Sequence, residues 1–160
     1  MSDNEKVCSC FGHLEVEITD ELVARTEEEI DRAIADGVRV FLFGGRSDFD
    51  DLVYDVVTRK REQQPYLGIR RIFCFPLENH LRKPPAWFRK KEYEGLECPT
   101  KRFDWWYTAI YYRNCAMIDS SDSVLFYAEK RQDSGAYKAY KYAVSSRKKI
   151  VNLVLSSNDN

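Results

Sequence analysis

The chain has 160 residues, of which 44% are hydrophobic and 32% are charged, and its formal net charge is -1. This length fits one domain, and the composition is typical of a globular protein with a hydrophobic core and excludes a disordered chain. The near-neutral charge argues against general binding to nucleic acid or to membranes. We therefore expect a single domain over residues 1–160.

The beginning of the chain and its cysteines bear on the cellular compartment. The first ten residues, MSDNEKVCSC, lack the basic and then apolar layout of a secretory signal peptide. No apolar run approaches the roughly 20 residues of a membrane-spanning helix. The five cysteines include no C-x-x-C pair, which favours reduced, buried thiols. The sequence therefore predicts a cytoplasmic protein without a membrane partner.

Short apolar runs alternate with longer amphipathic ones, which is typical of a parallel sheet covered by helices. The pattern predicts a first strand at Val7–Phe11. A helix follows, with Thr19 or Asp20 as its N-cap and its end near Ala35. The apolar run Val38–Phe43 then predicts the second strand.

The alternation continues through the rest of the chain. Asp48 is the predicted N-cap of the second helix, and Ile69–Phe75 is the predicted third strand. Residues 78–103 are rich in proline and basic residues without a clear period, which predicts an irregular insertion or lid. The last predicted elements are an aromatic helix over Asp104–Ile118, a strand at Val124–Tyr127, a helix from about Ser134 to Ser146 and a strand at Ile150–Leu155.

These elements define the expected fold class. The sequence predicts an α/β fold, a three-layer Rossmann-like sandwich with a mainly parallel sheet of about five strands. Ligands of such sheets bind beyond the carboxyl ends of the strands. The loops expected there are Gly12-His13, Gly44–Asp50, Pro76–Asn79 and Lys130–Tyr137. Glycine lets backbone N–H groups approach a phosphate, and the helix that follows directs its positive end to the same place.

The loop after the second strand is the best single candidate for an anion site. Its two glycines, Gly44 and Gly45, permit a tight turn, and Arg46 can pair with an anion beside Ser47 and Asp48. The alternative is that the glycine pair only turns the chain and Arg46 is solvated. The spacing matches neither a Walker loop nor a G-x-G-x-x-G fingerprint.

Two further groups are candidate ligand contacts. Ser134 can cap the last helix and also bind an anion, while Gly135 leaves space for it; an ordinary helix cap is the alternative. Arg113 can meet a phosphate beside Asn114, and the aromatic residues of the same helix can stack on a base. The alternative for this helix is that its aromatic face packs in the core.

The remaining candidates concern binding partners and metal ions. The Trp105-Trp106 surface is a candidate for homodimer formation. No metal site is predicted, because neither His13 nor His80 has a partner at ligand spacing, and we expect Cys8 and Cys10 to face opposite sides of their strand. The irregular segment carries basic residues that form either a solvated face or a contact for a phosphate-rich partner: Arg82, Lys83, Arg89, Lys90, Lys91, Lys101 and Arg102.

Several short motifs, taken in order, resemble a known family. They are Gly12-His13, FLFGGRSDFD at Phe41–Asp50, FPLEN at Phe75–Asn79, YYRNCAMIDSSDSVLFY at Tyr111–Tyr127, and DSGAYKAYKYA at Asp133–Ala143. This order is similar to the YpsA/YoqJ-like branch of the SLOG superfamily. That Rossmannoid group also contains DNA-processing protein A and the "lonely guy" proteins.

The resemblance implies a small nucleotide or nucleotide-derivative ligand and no required cofactor. By motif match, the implied binding positions are Gly12, His13, Gly44, Gly45, Arg46, Asp48, Arg113, Asn114, Ser134 and Gly135. "Lonely guy" enzymes hydrolyse the N-glycosidic bond of nucleoside monophosphates with the glutamate of a P-G-G-x-G-T-x-x-E motif. The matching stretch here, Gln132–Ala139, has no acid at that place, so the resemblance does not carry that activity.

Three functions remain open from the sequence. A ligand-binding or sensing module is favoured, because glycines, an anion partner and a stacking face are present without an evident nucleophile and base. The second is an enzyme acting on the N-glycosidic or phosphate bond of a nucleotide. Its candidate acids are Asp48, Asp50, Glu78, Asp119 and Asp122. The third is a nucleic-acid-handling protein, against which the neutral charge argues.

Overall fold

The structure is a computed structural model that describes residues 5–88, 91–100 and 106–154, and of Trp106 the backbone alone. The described strands are β1 (Lys6–Gly12), β2 (Val38–Phe43), β3 (Arg70–Cys74), β4 (Gly95–Glu97), β5 (Ser123–Tyr127) and β6 (Lys149–Asn152). The helices are α1 (Asp20–Ala35), α2 (Asp48–Gln63), α3 (Trp106–Asp119) and α4 (Gly135–Ser145).

All six described strands are parallel and form one sheet in the order β4-β3-β2-β1-β5-β6. The chain builds outward from β1 to β4 and then crosses back to place β5 on the other side of β1. The strand order therefore reverses between β1 and β5, which is the topological switch point where ligands of such sheets bind.

Helices cover both faces of the sheet, as the three-layer prediction requires. One core cluster joins the sheet to α1 and α2, and the other joins it to α3 and α4. β2 shows why both faces are apolar: Phe41 and Phe43 belong to the first cluster, while Val40 and Leu42 belong to the second. The α/β Rossmann-like fold predicted from the alternating runs is confirmed.

α1 illustrates how local sequence sets an element. The Thr19 hydroxyl accepts a hydrogen bond from the Leu22 N–H at 3.1 Å, which caps the helix. Gly37 ends it with a φ of +106°, a conformation that glycine adopts without a steric cost. The buried residues recur every four positions and face the sheet: Leu22, Thr26, Ile30 and Ile34.

The sheet has one strand more than the five or so predicted, because β4 lies inside the segment predicted to be irregular. An ion pair fixes this edge. Arg71 is only 1% exposed; its guanidinium donates to the Glu94 carboxylate at 2.7 and 3.0 Å and to the Thr58 hydroxyl at 2.9 Å. Lys91 of the same segment pairs with Asp51. The segment is therefore joined to β3 and α2 by buried and half-buried polar contacts.

One expectation about side chains, the orientation of Cys8 and Cys10, is wrong. Others concern residues that the structure does not describe. Cys8 and Cys10 face the same side of β1 and lie in the same core cluster, because residues two apart on a strand share a face. All five cysteines are unbridged and buried, as predicted. Trp105, the Trp106 side chain and the basic residues Arg89, Lys90, Lys101 and Arg102 lie outside the described residues.

No helix of the described part is both long enough and apolar enough to cross a membrane.

Candidate functional site

A cleft of about 900 Å³ opens at the carboxyl ends of the strands, at the switch point between β1 and β5. Loops after β1, β2, β3 and β5 supply its walls together with α3 and the start of α4. The predicted site residues that line it are Gly12, His13, Gly44, Gly45, Arg46, Ser47, Arg113, Asn114, Ser134 and Gly135. Asp48 is the predicted site residue that does not line it.

Ser47, and not Asp48, is the N-cap of α2. The Ser47 hydroxyl accepts from the Asp50 N–H at 3.0 Å, and the Asp50 carboxylate accepts from the Ser47 backbone N–H at 3.4 Å, which forms a capping box. The Ser47 hydroxyl also donates to the same carboxylate at 2.7 Å. Asp48 is the first helical residue, and its carboxylate accepts from the Val16 N–H at 3.1 Å. Asp48 therefore holds the loop after β1 against α2 and does not face the cleft.

The glycines of the loops after β1 and β2 are required by close packing. A Cβ on Gly12 would lie 2.4 Å from Cβ of Phe49, and one on Gly45 would lie 2.3 Å from Oδ2 of Asp50. A Cβ on Gly44 would lie 2.9 Å from Cζ of Arg113. The reason for these glycines is thus the approach of α2 and α3 to the strand ends. Of the four glycines that line the cleft, only Gly135 has open space where a Cβ would stand.

Arg113 joins three elements at the floor of the cleft. Its guanidinium donates to the carbonyl of Gly44 at 2.6 Å and to the carbonyl of Cys74 at 2.9 Å. Its Nε donates to Asn114 Oδ1 at 2.9 Å. Burial lowers the pKa of Arg113 to about 10, so the side chain remains a cation at neutral pH. Arg113 therefore ties α3 to the ends of β2 and β3.

Asp50 is a buried carboxylate in the lining of the cleft. Its oxygens accept hydrogen bonds from Ser47 and from the Cys10 thiol, at 2.7 and 3.4 Å. Burial raises the pKa of Asp50, while hydrogen bonds from Ser47 and the positive charge of Arg113 act in the opposite direction. Burial also raises the pKa of Cys10, so its thiol is an inert core group.

The other acids considered for catalysis lie away from the cleft. Asp119 accepts from the Tyr142 hydroxyl at 2.7 Å, and Asp122 accepts from the Val7 N–H at 2.9 Å. Glu78 lines a separate depression beside its neighbour Asn79. No group of three or more potential metal-ligating side chains occurs among residues 5–88, 91–100 and 106–154.

His13 connects the end of β1 to the start of α4. It is 5% exposed; its Nε2 lies 2.7 Å from the Glu129 N–H, and its Nδ1 lies 3.0 Å from the Ser134 hydroxyl. The Ser134 hydroxyl also accepts from the Tyr137 N–H at 3.1 Å, so Ser134 is the N-cap of α4 as predicted. His13 is therefore a buried link between two loops of the cleft.

The residues that line the cleft include Trp87, Ile110 and Arg131, which were not identified from the sequence. The Arg46 guanidinium stacks 5.1 Å from the centre of the Trp87 ring, and Ile110 lies on the neighbouring wall. Arg131 also lines the cleft and pairs with Glu129. Trp87 lies in the proline-rich segment, which has no periodic pattern from which its position beside the cleft could be predicted. Arg46 and Arg131 together give the cleft two cationic side chains, which are suited to bind an anion.

The buried state of His13 predicts a pH-dependent stability. Burial and the positive charge of Arg131 lower the pKa of His13, while Glu129 raises it. The unfolded chain then binds a proton more readily than the folded one, so this contribution is complete above about pH 6.5 and is lost as the pH falls below it. We expect the midpoint temperature of thermal unfolding to decrease when the pH is lowered from 7 to 5, and to decrease less in His13→Asn.

His80 provides the control for this measurement. Burial also lowers the pKa of His80, so His80→Asn removes a second contribution of the same sign at a site outside the cleft. The two contributions are expected to add when both histidines are replaced. A His13→Asn chain with the full wild-type pH dependence would show that folding does not lower the pKa of His13.

Comparisons with known proteins place the fold. No protein-family model and no curated protein matches the sequence. A solved structure does match. The fold is similar to that of DNA processing protein A (DprA) from Streptococcus pneumoniae, with a TM-score of 0.61 and 15% sequence identity. The match covers 97% of this chain and 52% of that one, so the chain spans about half the length of DprA.

At this identity the likeness to DprA shows the fold alone. It agrees with the Rossmann-like architecture that the resemblance to the SLOG superfamily implies. The YpsA/YoqJ-like branch within that superfamily stays a prediction.

Proposed function

We propose that the chain binds a nucleotide or nucleotide derivative in the switch-point cleft, with the ligand phosphate at the N-terminus of α4. The observation that carries this proposal is the convergence of Ser134, the first amides of α4 and Arg131 on one wall of the cleft. Helix N-termini bind phosphates because their first N–H groups lack partners within the helix. The volume of about 900 Å³ lies in the range of small-molecule sites.

The opposite wall supports a planar group in the same ligand. The Arg46 guanidinium lies over the Trp87 ring, 5.1 Å from its centre, and is an exposed planar cation in the lining of the cleft. Arg46 forms no ion pair with any residue that the structure describes, so its N–H groups are available to a second anionic oxygen. A base stacked on the Arg46 guanidinium and a phosphate at α4 would use the two walls together.

A ligand screen with a matched variant tests this function. A nucleotide at about 100 times its Kd is expected to stabilise the folded protein by about 2.7 kcal/mol, which raises the unfolding midpoint by several degrees. The screen uses nucleoside mono-, di- and triphosphates, with Arg46→Ala beside the wild type. Arg46→Ala should keep the ligand-free midpoint and lose most of the shift. No shift with any nucleotide would overturn the proposal.

Hydrolysis of the bound nucleotide is the second candidate, and it rests on Asp50. This is the acid among those predicted that lines the cleft, and burial raises its pKa, as a general acid requires. Its hydrogen bonds to Ser47 and Cys10 fit a structural carboxylate equally well. Mass spectrometry of the incubated screen decides: a free base or free phosphate formed by the wild type but not by Asp50→Asn supports hydrolysis.

A nucleic-acid ligand is the remaining alternative, favoured by the likeness to a DNA processing protein. Its discriminating measurement is fluorescence anisotropy with a labelled single-stranded oligonucleotide at several salt concentrations. Binding that weakens steeply with salt, without any nucleotide shift, would replace the small-ligand proposal with this one.

A further inference from the structure

The hydrogen bonds of His13 determine which ring nitrogen carries its proton. Nε2 lies 2.7 Å from the backbone nitrogen of Glu129. A backbone N–H can only donate, so Nε2 has to be the bare acceptor. A neutral His13 therefore carries its proton on Nδ1, which lies 3.0 Å from Oγ of Ser134.

The protonation of His13 fixes the role of the Ser134 hydroxyl. Oγ accepts one hydrogen bond from Nδ1–H of His13 and another from the N–H of Tyr137 at 3.1 Å. A hydroxyl has two lone pairs and one hydrogen, so both lone pairs are then occupied. The hydrogen finds no acceptor among the described residues, and the Ser134 side chain lines the cleft. The hydroxyl hydrogen of Ser134 is therefore available to donate to a ligand.

We propose that His13 is a positioning residue that holds Ser134 as a hydrogen-bond donor, so that this part of the cleft selects ligand oxygens that only accept. Ionised phosphate oxygens have this property, whether they belong to a nucleotide or to a free inorganic anion. The selectivity rests on the proposed function, because it concerns the same phosphate position at the start of α4.

The surroundings of His13 maintain the neutral form that this role requires. A protonated ring would direct Nε2–H at the Glu129 N–H, two donors facing each other. The charged and titratable groups around the ring are Arg131, the Glu129 carboxylate at 4.0 Å and Tyr127, whose ring stands edge-on at 6.3 Å. Burial and Arg131 together lower the pKa of His13, so the ring is neutral at physiological pH.

Two substitutions of His13 test the roles of Nδ1 and Nε2 one at a time. The amide of asparagine reaches the place of Nδ1 and can still donate to Ser134, whereas the amide of glutamine reaches the place of Nε2 and serves Glu129 instead. His13→Asn is therefore expected to keep phosphate binding within about threefold of wild type. His13→Gln is expected to lose about tenfold, the value of one hydrogen bond to a charged group.

The binding experiment is an NMR titration of the full chain with inorganic phosphate and, separately, with adenosine 5′-monophosphate, followed at the amides of Gly135 and Ala136. Ser134→Ala should also lose about tenfold with both probes. Adding His13→Gln to Ser134→Ala should cost nothing more, because His13 acts only through that hydroxyl. A further tenfold loss in the double variant would overturn the positioning role. A stronger response to adenosine 5′-monophosphate than to phosphate identifies the nucleotide as the source of the anion.

The tautomer itself is measured without any ligand. Long-range proton–nitrogen NMR spectra of the ligand-free protein are expected to show an unprotonated Nε2 and a protonated Nδ1 for His13 at pH 7. The opposite tautomer would overturn the inference whatever the titration shows. A wild-type chain that binds neither probe would overturn the proposed function and the selectivity with it, while the tautomer would still decide how His13 orients Ser134.

Discussion

Gly12→Ala is expected to destabilise the protein by about 3 kcal/mol, the upper part of the range for inserting a methyl group into a packed site. The added Cβ would lie 2.4 Å from Cβ and 2.8 Å from two ring carbons of Phe49. Phe49 is completely buried at the start of α2, and β1 is held between β2 and β5. Neither side can retreat without moving the loop that carries Arg46. Urea denaturation measures the loss as a lower midpoint.

Gly135→Ala is the matched control for this experiment. Gly135 lines the same cleft and begins α4, but no atom lies within 4 Å of the place its Cβ would take. Alanine is also a better helix former than glycine. The variant is expected to be at least as stable as wild type. Equal losses in both variants would show that α2 does not pack against β1 as described.

Apolar runs, glycines and capping residues in the sequence predicted the bounds of the elements that depend mainly on nearby residues. β2 was predicted at its observed bounds because its sequence, VRVFLF, is apolar except for Arg39, and a glycine pair follows the run. The predicted start of α4 agrees with the capping hydroxyl of Ser134. The N-cap of α2 was predicted one residue too late, at Asp48 instead of Ser47. Both residue types are good N-caps, and only the capping box between Ser47 and Asp50 distinguishes them.

Non-local contacts explain what the sequence did not predict. β4 is three residues long with one apolar side chain, so it carries no period of its own. It exists because Glu94, just before it, binds the buried Arg71 of β3. An arginine in a strand would be expected to reach solvent, and nothing near it in the sequence identifies its partner.

In the candidate site, too, the location could be predicted from the sequence, whereas the roles of the side chains depend on non-local contacts. The carboxyl-end rule located the cleft, because parallel strands bring their ends to one edge whatever the side chains are. The roles within it could not be derived in this way. His13 and Arg113 were expected to meet a ligand, yet each is 5% exposed and bonded to other loops. Burial of these side chains depends on helix packing, which no short motif encodes.

Arg113→Met is expected to cost about 3 kcal/mol of folding free energy. The substitution keeps much of the side-chain length but removes the donors that reach the carbonyls of Gly44 and Cys74. It also removes the positive charge nearest the floor of the cleft, next to the buried Asp50 carboxylate. Breaking a buried charged contact by removing one partner typically costs about 3–5 kcal/mol, and access of water from the cleft places this case at the lower end.

Arginines at the mouth of the same cleft serve as controls. Arg46→Met and Arg131→Met are expected to change the free energy of unfolding by less than about 0.5 kcal/mol, because both side chains are exposed and screened by water. They should weaken nucleotide binding without affecting the fold. A loss in Arg113→Met as small as in these variants would show that its guanidinium does not hold the strand ends in solution and is available to the ligand.

Asp50→Asn, combined with Arg113→Met, tests whether the two buried charges stabilise each other. Each single change leaves the other charged group with less compensation, so the double variant should be less destabilised than the sum of the two. Removing Arg113 also raises the pKa of Asp50 further above its ordinary value, because the cation lowers it in the wild type. The loss in Arg113→Met is therefore largest at neutral pH and shrinks relative to wild type as acid protonates Asp50. Strict additivity at all pH values would instead assign the whole effect of Arg113 to its two carbonyl contacts.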